Sequence, residues 1–126
     1  MHRSRLGGII IDCEVGDLDA AADFWSKALG YASRHSRAPE DEAYVLLNTA
    51  PEELHIELQR VGHPSRVHLD IETDDVDAEV SRLESLGATR VQKVRNWWVM
   101  QAPTGHRFCV VRAARACFED QANKWP

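Results

Sequence analysis

The sequence predicts an α+β fold built from two βαβββ modules, and three observations lead there. The first is an internal repeat. "IIIDCEVGDLDAAADFW" and "HLDIETDDVDAEVSRL" each run apolar strand, Asp, short turn, Asp, then a helix rich in Ala and acids, and Asp12 to Asp17 has the same separation as Asp70 to Asp75. The second is that both helical patterns end alike, at Leu29-Gly30 and Leu86-Gly87, and three short strand-like runs follow each. The third is length: 126 residues suit one domain with a real core, not two independent ones. A single βαβββ unit covers one face of its sheet with its helix, and its other face needs the second copy.

The elements follow in order. "GGIIIDCEV" is β-branched and apolar, and reads as a buried strand. Asp17 is the N-cap of a helix whose apolar stripe is Leu18, Ala21, Ala22, Trp25 and Leu29, and Gly30 stops it. Tyr31 to Arg37, "AYVLLNT" and "LHIELQRV" are the next three strands, the last with strict alternation. In the second half "SRVHLDIET" is a strand, and Asp74 or Asp75 caps a helix with Val76, Val80, Leu83 and Leu86 on its stripe. "ATRVQKV", "NWWVMQA" and "HRFCVVR" complete that module. The expected domain is 7–112, with module one at 7–62, module two at 65–112, and a tail at 113–126 that reads as a short helix or a frayed end.

Composition narrows the function. A formal net charge of −5 argues against nucleic acid as the main partner. Arg3 and Arg5 read as part of a solvated tail. No apolar run approaches the ~20 residues of a membrane span, and no signal-peptide pattern opens the chain. Cys13, Cys109 and Cys117 are too few and too irregularly spaced for a disulfide framework, so the expected location is the reducing cytoplasm.

The pairing of "IDCEVGDLDAAADFWSKALGY" with "RVHLDIETDDVDAEVSRLESLGA" and "APTGHRFCVV" resembles the vicinal oxygen chelate superfamily of glyoxalases, bleomycin-resistance proteins and extradiol dioxygenases. The likeness is greatest to its glyoxalase-like branch and covers Gly7 to Arg112. It implies two modules that curl a mixed sheet into a cup, often around a divalent metal. It further implies metal ligands on the first and last strand of each module. Carried over position by position, His68 matches the family His and Glu57 the family Glu, while Ile10 and Cys109 stand where two further ligands would be. Ile10 cannot bind a metal, and Cys109 is a thiol.

Strand parity then assembles the expected lining. His68, Asp70 and Glu72 share one face of their strand, with Val67, Leu69 and Ile71 on the other, beneath the helix. His55, Glu57 and Gln59 share a face, as do Ile10 and Asp12. The expected pocket is lined by Ile10, Asp12, Asp70, Trp98 and Cys109, with His68 and Glu57 as metal ligands and catalytic residues. His68, Glu57 and Cys109 together would favour Zn, and Ni, Mn or Fe are the other candidates. Beside each reading stands a plainer one. His68 is a pocket-lining imidazole bonded to a carboxylate, Cys109 a buried inert thiol, Trp97 or Trp98 a core or lid residue, Trp25 a sheet-packing residue, and Asp17 and Asp75 helix caps.

Two functions follow from the resemblance. One is a lyase or isomerase acting on a small organic molecule in the cup with a divalent metal. The other is a metal-free protein that binds or sequesters a small molecule, as bleomycin-resistance proteins do. A homodimer is the expected assembly.

Overall fold

The first strand begins well before the apolar run that announced it. The computed structural model describes residues 1–114 and 117–126, and in it β1 spans His2–Cys13. The expectation of a solvated tail is therefore corrected. His2 and Ser4 are buried, and His2 to Ser4 pair antiparallel with β9, Asn123–Trp125. The partner strand lies more than a hundred residues away in sequence, so nothing local marks "HRSR" as a strand.

The other elements are α1 (Leu18–Leu29), β2 (Ser33–Arg34), β3 (Tyr44–Leu47), β4 (His55–Arg60), β5 (Arg66–Thr73), α2 (Val76–Ser85), β6 (Thr89–Val94), β7 (Trp97–Gln101), β8 (Arg107–Arg112) and α3 (Phe118–Gln121). Among the described residues each half therefore reads βαβββ, with a C-terminal helix and strand added. The fold is α+β with a mixed sheet. By contact density the chain divides into two compact units, 9–67 and 1–8 with 68–126.

In the unit 9–67 the strand order is β2-β3-β4-β1, and β2–β3 and β3–β4 are antiparallel. Asp17 caps α1, its side chain accepting from the Ala20 N–H, and Gly30 ends it at φ +80°, a conformation that suits a residue without a Cβ. Leu18 and Ala22 of α1 pack on Val45, Leu47 and Leu58, with Trp25 at the margin, as its helical phase predicted. Leu58 is fully buried. Truncating it to Ala is expected to cost about 2–5 kcal/mol of unfolding free energy in urea titration, the usual range for a core Leu. A loss under about 0.5 kcal/mol, ordinary for a surface site, would show that this core is not where the structure puts it.

In the unit formed by 1–8 and 68–126 the order is β5-β8-β7-β6. β5 runs parallel to β8, and β8–β7 and β7–β6 are antiparallel. The start of β1 lies along the end of β5: the Thr73 hydroxyl donates to the Arg3 carbonyl at 2.7 Å, and the Arg3 N–H donates to Asp74 Oδ1 at 2.7 Å. Asp75, not Asp74, caps α2. Val80 and Leu83 of α2 pack on Met100 and Val110, with Ile71, Trp98 and Phe108 against them. Two expectations for β5 change here. Ile71 lies under α2, but Leu69 and Val67 are 46% and 58% exposed. The apolar stripe of a 10-residue helix is about 15 Å long and reaches only the end of the strand.

A charged network closes the α2 side of this unit. Glu79 is fully buried on α2 and accepts from both Nε (2.8 Å) and a terminal nitrogen (2.9 Å) of Arg82. The His2 ring lies 2.8 Å from its Oε1. Burial alone would push this carboxyl up, but the hydrogen bonds from Arg82, His2 and Ser4 outweigh it and hold it below the ordinary carboxylate range.

Candidate functional site

Adjacent strands β5 and β8 bring the site together. Their parallel register sets Asp70 opposite Cys109. Ile71, Phe108 and Val110 turn toward α2, so by alternation His68, Asp70 and Cys109 face the other way. The side chains of His68 and Asp70 are only 11% and 15% exposed, and Cys109 is buried.

The three side chains converge on one point. His68 Nε2 lies 3.5 Å from Asp70 Oδ1 and 3.8 Å from Cys109 Sγ. One ligand-type atom from each residue falls within 4.8 Å of the others. Asp70 Oδ1 is buried and makes no hydrogen bond among the described residues, although the imidazole stands at ion-pair distance. A buried carboxylate oxygen left in that state is costly unless a further positive centre satisfies it.

These separations fit a metal. With Zn–N and Zn–O near 2.0–2.1 Å and Zn–S near 2.3 Å, a tetrahedral centre spaces its ligand atoms about 3.4 Å apart for N and O, and about 3.6 Å for N and S. The observed 3.5 and 3.8 Å lie within a few tenths of an ångström of that. Imidazole, carboxylate and thiolate are a donor set zinc accepts, and three protein ligands leave a fourth position for another group.

Of the remaining expected residues, three belong to the unit 9–67. Glu57 lies in the unit 9–67, on β4 opposite Leu46 of β3, and its Oε2 is 3.4 Å from the His55 ring. Ile10 and Asp12 are buried on β1 in that same unit, where Asp12 Oδ2 is 3.9 Å from Arg66 Nε. Burial, with Asp12 beside it, pushes the Cys13 thiol up, so this cysteine is not disposed to ionise. Trp98 is corrected. It pairs with Val110 across β7 and β8 and packs with the α2-side core, while Arg90 stands 5.0 Å above its ring. Phase decides this: Met100, two residues on, is buried in the same cluster.

An open cleft of about 650 Å³ also lies in the unit that holds His68, lined by His2, Asp75, Ala78, Ser81, Arg82 and Trp125. Its charged groups are already committed, His2 and Arg82 to Glu79 and Asp75 to the cap of α2, so it offers little chemistry. Sequence reading missed this network because His2 lay in the presumed tail and Glu79 on a helix rich in acids.

Comparison with known proteins points one way. A family model described as a glyoxalase-like domain matches residues 8–111. No curated protein matches the chain. Among solved structures, methylmalonyl-CoA epimerase from Mycobacterium tuberculosis is similar at 22% identity and TM-score 0.59, over 86% of this chain and 87% of that one. The Streptomyces coelicolor epimerase in complex with 2-nitronate-propionyl-CoA is similar at 19% identity and TM-score 0.58, over 88% and 96%. A glyoxalase/bleomycin resistance protein/dioxygenase superfamily member from Vibrio splendidus 12B01 is similar at 16% and TM-score 0.59, over 90% and 100%. At such identities the likeness shows the fold, which is the one the sequence motifs led us to expect.

Proposed function

Since the chain belongs to the family of glyoxalase-like domains, we propose that it binds a small oxygen-bearing organic molecule through a divalent metal held by His68, Asp70 and Cys109. The observation that carries this reading is the convergence of three ligand atoms around a buried carboxylate oxygen that lacks a hydrogen bond. Zinc leads Ni, Mn and Fe because a thiolate is among the donors. When bound, such a metal supplies a Lewis acid for a carbonyl or enolate oxygen, which suits lyase or isomerase chemistry.

The chain's own residues do the rest. His68 Nε2 and Asp70 Oδ1 stand 3.5 Å apart, and the mostly buried setting of both side chains strengthens every charge interaction made there. Cys109 must stay reduced to serve as a ligand, which fits a reducing compartment such as the cytoplasm. A homodimer completes the proposal. The solved epimerase structures include complexes with CoA esters, so short acyl thioesters and the free organic acids are the first ligands to screen by thermal shift.

Cobalt(II) titration of the full chain, purified without chelator, tests the reading. The expected result is one equivalent bound, with a near-ultraviolet thiolate-to-cobalt band and visible bands of four- or five-coordinate intensity. No band, together with a melting temperature indifferent to EDTA, would overturn it and favour a metal-free binding protein of the bleomycin-resistance type. The band should fade as pH falls, because each ligand must lose its proton to bind.

A further inference from the structure

We propose that α3, pinned by Arg5, walls one end of the face that carries His68, Asp70 and Cys109, and so selects compact ligands over long-tailed ones. The selectivity rests on the ligand site proposed above, whereas the placement of α3 stands on its own contacts. Glu72 follows Ile71 on β5 and therefore points away from α2, on the same face as Asp70 and His68. Its carboxylate is buried and accepts from Arg5 Nε at 2.5 Å.

The same guanidinium holds the C-terminal segment. One terminal nitrogen donates to Gln121 Oε1, and the other lies 3.8 Å from Cys117 Sγ. Between those two residues Phe118 is 5% exposed, the apolar anchor of α3. Gly7 leaves the room this arrangement needs: a Cβ there would come within 2.7 Å of Glu72 Cγ.

The segment is also held from the opposite face. Past α3, β9 pairs with the start of β1. Trp125 then lies with its ring centroid 3.9 Å from the Arg82 guanidinium carbon, and donates from Nε1 to Ser4 Oγ at 2.8 Å. Arg82 belongs to α2, so the C-terminal segment straddles β1, with α3 on one side and Trp125 on the other.

Position along the strand gives the wall its effect. Glu72 is two residues from Asp70 and four from His68, about 7 and 13 Å at a strand's rise. A ligand a few carbons long fits in that span. A long-tailed thioester must leave in another direction or displace α3.

Size-selective labelling of Cys109 tests the inference without any metal. The full chain is treated with N-ethylmaleimide or the bulkier fluorescein-5-maleimide, and peptide mass spectrometry reads Cys13, Cys109 and Cys117 separately. In the wild type Cys109 should strongly prefer the small reagent. In Arg5→Met, and independently in Phe118→Ala, that preference should fall about tenfold, as the loss of charged hydrogen bonds or an apolar anchor opens the segment locally. Cys13 should keep its preference. An unchanged ratio at Cys109 in either folded variant, or an equal fall at Cys13, would overturn the wall. Cobalt binding is read apart from labelling, so failure of the metal site and failure of the wall are distinguishable.

Discussion

Arg82→Ala should lower the unfolding free energy by about 3–5 kcal/mol, the usual cost of stripping one partner from a buried ion pair. Glu79 is fully buried and takes both of its charged hydrogen bonds from Arg82, leaving the His2 ring and Ser4 as its other partners. Arg82 also stacks on Trp125, so its loss removes packing from β9 as well as charge. Guanidinium titration at neutral pH checks the magnitude, and a loss under about 1 kcal/mol would mean that the pair behaves as a solvated surface bridge. The pH dependence follows from sign. The folded carboxyl is held below its unfolded value of 4.5, so its stabilisation is complete above that value and fades as pH falls through the folded pKa. In Arg82→Ala the folded pKa rises toward or past the unfolded one, and this acid-labile share of the stability should disappear.

His68→Ala and Cys109→Ala should each weaken cobalt or zinc binding by about a hundredfold or more, since two donors rarely hold such an ion against water. Calorimetry with zinc alone gives the affinity. Asp70→Asn keeps the shape but removes the charge, and should weaken binding less than either deletion. Glu57→Gln is the informative control. The sequence paired Glu57 with His68, whereas the proposed set lies within 68–126, so zinc affinity should survive this change. Zinc binding lost in Glu57→Gln but kept in Asp70→Asn would restore the original pairing and remove Asp70 from the set.

Much of the fold was legible because the repeat is written in local chemistry. Asp17 and Asp75 cap the helices, Gly30 and Gly87 sit at positive φ where they end, and the period of two sets Phe108 against Cys109. What escaped depended on distant partners. "HRSR" becomes a strand only because β9 returns to it, and Glu79 becomes a buried charge only because His2 arrives with that strand. Val67 and Leu69 have the right phase to lie beneath a helix, but α2 does not extend that far. Trp97-Trp98 gave no clue to phase until Met100 fixed it. His68 and Cys109 were found as family positions, and Asp70 as a lining residue. That Asp70 shares a face with His68 follows from alternation along the strand, but that it stands opposite Cys109 depends on the β5–β8 register, which no sequence pattern states.

Zinc K-edge X-ray absorption on the full chain loaded with one equivalent of zinc tests the site most directly. The account predicts one sulfur scatterer near 2.3 Å, and nitrogen and oxygen scatterers near 2.0–2.1 Å that include an imidazole signature, with the sulfur shell absent in Cys109→Ala. A shell of light atoms alone in the wild-type chain, identical in Cys109→Ala, would contradict it.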